Sequence, residues 1–145
     1  MFDTANVLSI LGNVYLVVPF AFDWRWALSV WLSVILTEVI KAVTRDMPYT
    51  CLKRPSGARG CDALGRGGAV GGAPGFPSGH TTIAAAFWMG AWLLAPSEWR
   101  PWIFGMGALA VGAMGWSRVA KECHTWLQVV AGAMFGAAVS YMCIL

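Results

Sequence analysis

Charge is scarce in this chain. Asp, Glu, Lys and Arg make up 12% of the residues and apolar types 58%, against roughly 25% and 45–50% in soluble domains. A soluble domain of 145 residues leaves too much surface against water to hide that excess. A bilayer is therefore expected as the solvent. Histidine is scarcer still. There are two, with four cysteines and no C-x-x-C pair, which argues against zinc. The absence of G-x-x-x-x-G-K-[ST] excludes a nucleotide P-loop. Residues 1–6 lack a basic n-region, so no cleaved signal peptide is expected. Six of the ten Lys and Arg fall between Lys41 and Arg66. No soluble domain surrounds them, so a nucleic-acid interface is not expected.

The sequence does hold apolar runs close to the length of about 20 residues that crosses a bilayer. They cover 5–22, 24–43, 78–95, 101–116 and 126–145. The reading is an all-α fold: a single membrane-embedded domain over 1–145, an integral membrane bundle of about five transmembrane helices. Trp24, Trp26, Trp99, Trp102, Trp116 and Trp126 stand at the run edges, where indole favours the membrane–water boundary. Small residues recur four apart at Ala108/Gly112 and Gly132/Gly136, a spacing that lets membrane helices approach closely.

The segment 44–77 is polar and rich in glycine, including Gly65, Gly67, Gly71, Gly72 and Gly75. Loops of that length tend to be functional or disordered. Cys51 and Cys61 lie ten apart within it, and either a disulfide or two thiols fits. Five crossings put this loop and the 117–125 connection on one side of the membrane. Counting Lys and Arg alone would make that side cytoplasmic. Cations placed to bind phosphate carry no such topological meaning.

Both histidines fall at run boundaries on that side. His80 ends Phe76-Pro77-Ser78-Gly79-His80 and opens the third run, and His124 precedes the fifth, six residues after Arg118. Lys41 and Lys53-Arg54-Pro55 add further cations. Ionisable groups at a membrane are costly and point to function. Two imidazoles among cations suit a phosphate dianion. The free N–H groups at a helix start near Ser78 can hold its oxygens, and histidine can serve as nucleophile and as proton donor.

Pro77-Ser78-Gly79-His80, then Ser117-Arg118 with five residues before His124, resemble the second and third signatures of the type-2 phosphatidic acid phosphatase superfamily. That family includes bacterial polyprenyl-diphosphate phosphatases and vanadium haloperoxidases. The resemblance covers about residue 37 to the C-terminus. It implies a phosphatase that uses no metal and no other cofactor. His124 would attack phosphorus and become a phosphohistidine, and His80 would protonate the leaving oxygen. Arg118, Arg54 and Lys41 would bind phosphate oxygens, with Ser78 and the Gly79 backbone.

Two departures from the pattern stand out. The family's first signature is lysine, six residues, then Arg-Pro. Here Lys41 is followed by Met47-Pro48, and Arg54-Pro55 comes later. Arg54 is expected to fill the missing place, with Arg45 and Lys53 as substitutes. The family also carries an aspartate four residues after the nucleophile, where this chain has Gln128. Residues four apart share a helix face, so Gln128 is expected to orient His124. The run His124-Thr125-Trp126-Leu127-Gln128-Val129 resembles the dolichyl-diphosphatase branch, where glutamine is native. Pro-Ser-Gly-His differs from the Pro-Ser-Ser-His of that branch.

The expected substrate is a lipid phosphate or diphosphate, with a polyisoprenyl diphosphate favoured. A broader phosphatidate phosphatase and a non-catalytic lipid-phosphate-binding protein remain as alternatives. The expected place is the endoplasmic reticulum for a eukaryotic-type protein or the cytoplasmic membrane for a bacterial one. The site is expected to face the lumen or the extracytoplasmic side.

Overall fold

A computed structural model describes residues 4–62 and 68–145. Residues 1–3, and with them Gly65, Arg66 and Gly67 named above, lie outside those described. The fold is all-helical among the described residues: α1 (Thr4–Leu11), α2 (Val14–Val17), α3 (Trp24–Val43), α4 (Gly79–Leu94), α5 (Arg100–Ala120) and α6 (Trp126–Ile144). Of these, α3, α5 and α6 are long and apolar enough to cross a membrane.

The expected first span, 5–22, is not one helix. It breaks at Gly12 and Asn13, resumes as α2, and tightens into a 3₁₀ turn over Val18–Ala21. Pro19 supplies no N–H to an α-helical ladder. Hydropathy registers apolar content and passes over such breaks. The fourth expected span, 101–116, is too short. α5 continues through Ser117 and Arg118 to Ala120, because Ser117 and Arg118 are buried against protein and end the apolar run without ending the helix.

Local chemistry fixes the helix ends. Asp23 Oδ1 accepts from the N–H groups of Arg25 (2.7 Å) and Trp26 (3.2 Å) and starts α3, meeting donors a helix start leaves open. α6 begins with a capping box. Thr125 Oγ1 accepts from the Gln128 N–H at 3.4 Å, and Gln128 Oε1 accepts from the Thr125 N–H at 3.3 Å.

The closest packing joins α4 to α6. A Cβ on Gly132 would stand 2.6 Å from the Ser78 carbonyl oxygen, and one on Gly136 would overlap the Thr82 carbonyl. The Gly132/Gly136 pair is therefore a contact of backbone on backbone. The Ala108/Gly112 pair is not, since a Cβ on Gly112 would meet no described atom within 4 Å. Trp26, Val30, Ala86, Phe87 and Ile144 form the apolar centre. The Trp26 indole N–H donates to the Phe87 carbonyl at 3.0 Å, and the Ser29 and Ser140 hydroxyls meet at 3.1 Å. Leu109, Met134 and Met142 are exposed on α5 and α6, as expected of a lipid-facing surface.

Candidate active site

The end of α3, the start of α4, the start of α6 and the long loop border one cavity of about 590 Å³. Lys41, Arg54, Gly79, His80 and His124 all line it, with Glu38, Arg45 and Asp62 beside them. Leu16, Val34 and Ile83 line it as well, so one hollow joins a charged wall to an apolar one. The two histidines, 44 positions apart in sequence, thus share a single hollow, and each lies in the electrostatic reach of Arg54, Arg118 and Lys41. Ser78, Arg118 and Gln128 are expected site residues that do not line it. All three are fully buried.

The loop is folded back on itself, which brings Arg54 to the cavity. The Arg54 N–H donates to the Ala73 carbonyl (2.8 Å), its carbonyl accepts from Gly72 (3.2 Å), and the Gly75 N–H donates to the Leu52 carbonyl (2.8 Å). Gly75 must be glycine here: a Cβ would lie 2.9 Å from Arg54 Cγ and 3.0 Å from Gln128 Oε1. Arg54 Nη1 donates to the Cys123 carbonyl at 3.4 Å. Burial lowers the proton affinity of Arg54, and the charge of Glu38 opposes that. Lys53, a suggested substitute, donates instead to the Arg45 carbonyl.

α4 opens at the cavity. The Ser78 hydroxyl meets the Thr81 hydroxyl at 3.1 Å, while the Ser78 N–H donates to the Gln128 carbonyl at 3.0 Å. A Cβ built on Gly79 would sit 3.4 Å from Lys41 Nζ, which places this ammonium beside the helix start. Lys41 Nζ also pairs with Glu38 Oε1 at 2.6 Å.

His124 is held from behind by Gln128. Gln128 Nε2 donates to two carbonyls, those of Cys51 (2.9 Å) and Lys53 (2.8 Å). Carbonyls only accept, so those contacts fix which end of the amide is nitrogen. Oε1 therefore faces His124 Nδ1, 3.1 Å away, and Nδ1 must carry the proton. In the neutral ring, Nε2 then holds the free lone pair. Burial, then the charge of Arg54, with smaller contributions from Arg118 and Lys41, push the His124 imidazole down to about 3 against the pull of its bond to Gln128. It is neutral near pH 7.

The Cys51–Cys61 pairing left open above does not form. Cys61 is bonded to Cys123, 62 positions away, and Cys51 is a free, exposed thiol. Lys121 Nζ donates to the Gly60 carbonyl at 3.0 Å, which brings the two strands of chain together, while the Cys51 carbonyl is engaged by Gln128. Reasoning from sequence missed three participants: Glu38, Asp62 and this disulfide. The capping box was not read from the sequence either, although Thr125-x-x-Gln128 before an apolar run is a signal that could have found it.

A family model described as the PAP2 superfamily matches residues 23–145. The chain belongs to the PAP2 superfamily. The match starts at the cap of α3 and takes in every residue of the charged wall, leaving out α1 and α2. As a PAP2 member the protein is a membrane hydrolase of the lipid-phosphatase type. No curated protein and no solved structure matches it significantly.

Proposed function

We propose that this PAP2 protein hydrolyses a polyisoprenyl diphosphate through a phosphohistidine on His124. The observation that carries the reading is the locked imidazole. Gln128 fixes the proton on Nδ1, so a neutral Nε2 is ready beside a cavity that also holds His80, Lys41 and Arg54. Nε2 forms a bond to phosphorus as the bond from phosphorus to the leaving oxygen breaks. The charge of the bound dianion, which offsets that of Lys41, Arg54 and Arg118, favours the protonated form of His80, and His80 gives its proton to that oxygen. Water then attacks the phosphohistidine, His80 takes a proton from it, and inorganic phosphate leaves with His124 restored. Lys41, Arg54 and the buried Arg118, with the first N–H groups of α4 at Gly79, spread the developing charge. No metal is required by this sequence of steps.

The apolar wall of Leu16, Val34 and Ile83 supports a lipid substrate, with the tail at that wall and the head at the cations. The resemblance of the run 124–129 to dolichyl diphosphatases favours a polyisoprenyl diphosphate over phosphatidate. The Cys61–Cys123 bond beside the cavity supports a site on the lumenal or extracytoplasmic side, since disulfides persist in oxidising compartments.

The test is phosphate release from polyprenyl diphosphate and from phosphatidate by purified wild type and His124→Ala. Wild type should release phosphate, faster from the diphosphate, and label from a ³²P-substrate should be trapped on the protein. The variant should do neither while remaining folded. Wild-type turnover in the variant refutes the nucleophile, faster phosphatidate turnover refutes the substrate, and binding without turnover in wild type makes the protein a lipid-phosphate binder.

A further inference from the structure

The cavity that would take a phosphate already contains a carboxylate. Glu38 lines it and meets Lys41 Nζ at 2.6 Å, one turn away on α3. A pair three apart on a helix is commonly a solvated surface contact of little worth. Two features set this one apart. The Lys41 side chain is only 15% exposed, against 64% for Glu38, so the carboxylate reaches inward to a partner that is largely enclosed. The field of Glu38 also extends to Arg54, on a different segment.

The physical need is plain. Lys41, Arg54 and Arg118 act on the same two histidines. Cations gathered in a partly desolvated hollow repel one another unless an anion sits among them. A substrate phosphate supplies that anion in the bound state. In the empty state it must come from water, from salt or from the protein.

We infer that Glu38 is a resident counter-anion of the phosphate cavity, paired to Lys41 until phosphate takes its place, and so tempers the affinity for anions in proportion to their charge. This rests on the reading of the cavity as a phosphate site. Glu38 is tethered and largely exposed, so it can swing toward water when a phosphate arrives and return as inorganic phosphate leaves. It does not touch the reacting atoms; it acts through Lys41 and Arg54.

The test is equilibrium binding of inorganic phosphate and inorganic diphosphate to the purified protein by calorimetry, for wild type, Glu38→Gln and Glu38→Asp. Binding needs no turnover, so it is separate from the assay of function. Loss of one nearby unit charge in a partly exposed site should tighten phosphate by about three- to tenfold in Glu38→Gln. Diphosphate, with more charge, should gain more. Glu38→Asp keeps the charge and should stay within about twofold of wild type, by the same charge argument. Unchanged or weaker phosphate binding in Glu38→Gln overturns the inference, as does an equal change in the Gln and Asp variants. A gain for diphosphate no larger than for phosphate also overturns it. If no variant binds either anion, the counter-anion role falls, and lipid turnover alone then decides whether the proposed function falls with it.

Discussion

Gln128→Leu is the perturbation that most directly probes the locked imidazole. The amide makes four polar contacts: it accepts from His124 Nδ1 and the Thr125 N–H, and donates to the carbonyls of Cys51 and Lys53. Leucine fills a similar volume and makes none of them. At about 1 kcal/mol net for each bond, the loss is roughly 4 kcal/mol, a large share of the ~5–15 kcal/mol that holds a typical domain together. The protein should fold with a clearly lowered melting temperature. The effect on rate should be larger. Without Oε1 opposite Nδ1, the ring is free to carry its proton on Nε2, which removes the nucleophilic lone pair. Loss of the correct tautomer in a serine-protease triad costs about 10⁴ in kcat. About 10³ is expected here, because part of the ring's orientation is kept by its burial.

The assay is phosphate release from polyprenyl diphosphate at a temperature where circular dichroism shows the variant fully helical. Gln128→Glu serves as the control. It can still accept from Nδ1 but cannot, when ionised, donate to either carbonyl. It should recover part of the rate while remaining less stable than wild type. Turnover by folded Gln128→Leu within about threefold of wild type would contradict the claim that Gln128 sets the tautomer, since the expected effect is orders of magnitude.

Two further outcomes follow from the same region. NMR of labelled histidine should find His124 neutral with its proton on Nδ1 from pH 7 to pH 5, because burial and Arg54 hold it near 3; a midpoint near the ordinary 6.5 would refute this. Since the unfolded ring takes its proton first, the linked stability is present above about pH 6.5 and is lost as pH falls from there toward 3. Replacing Cys61 and Cys123 by serine opens a closure of 62 positions, worth at most about 4 kcal/mol by chain entropy. The double variant should melt lower, wild type with reductant should match it, and an unchanged melting temperature in both would show that the bond does not support the fold.

The parts of the fold legible in the sequence were those set by composition. The apolar runs behind α3 and α6 needed no tertiary information, and the 24–43 span matches α3 at both ends. α5 was under-read because Arg118 looks like a boundary until its burial is known. The break at Gly12 and the 3₁₀ turn at Pro19 lie within an unbroken apolar run, where hydropathy is blind to backbone geometry. At the site, the two histidines announced themselves by being rare ionisable groups at membrane edges. Glu38 did not, since an acidic residue one turn before a lysine reads as a solvated pair. The partner of Cys61 was illegible for another reason. It depends on the path of a folded loop, and proximity in sequence offered Cys51 alone to weigh against a free thiol.

Glutamine at position 128 departs from the aspartate of the wider family pattern, and its surroundings supply a physical reason. The carbonyls of Cys51 and Lys53 converge on its Nε2. An ionised carboxylate there would face two acceptors in a buried place, with no donor for either, a poor exchange for a stronger bond to the imidazole. The same two carbonyls belong to the segment that delivers Arg54 to the cavity. The loop lays its backbone against the support of His124, and a side chain that both donates and accepts can serve both. One loop path thus does both: it carries Arg54 to the cavity and sets the carbonyls of Cys51 and Lys53 against the amide behind His124.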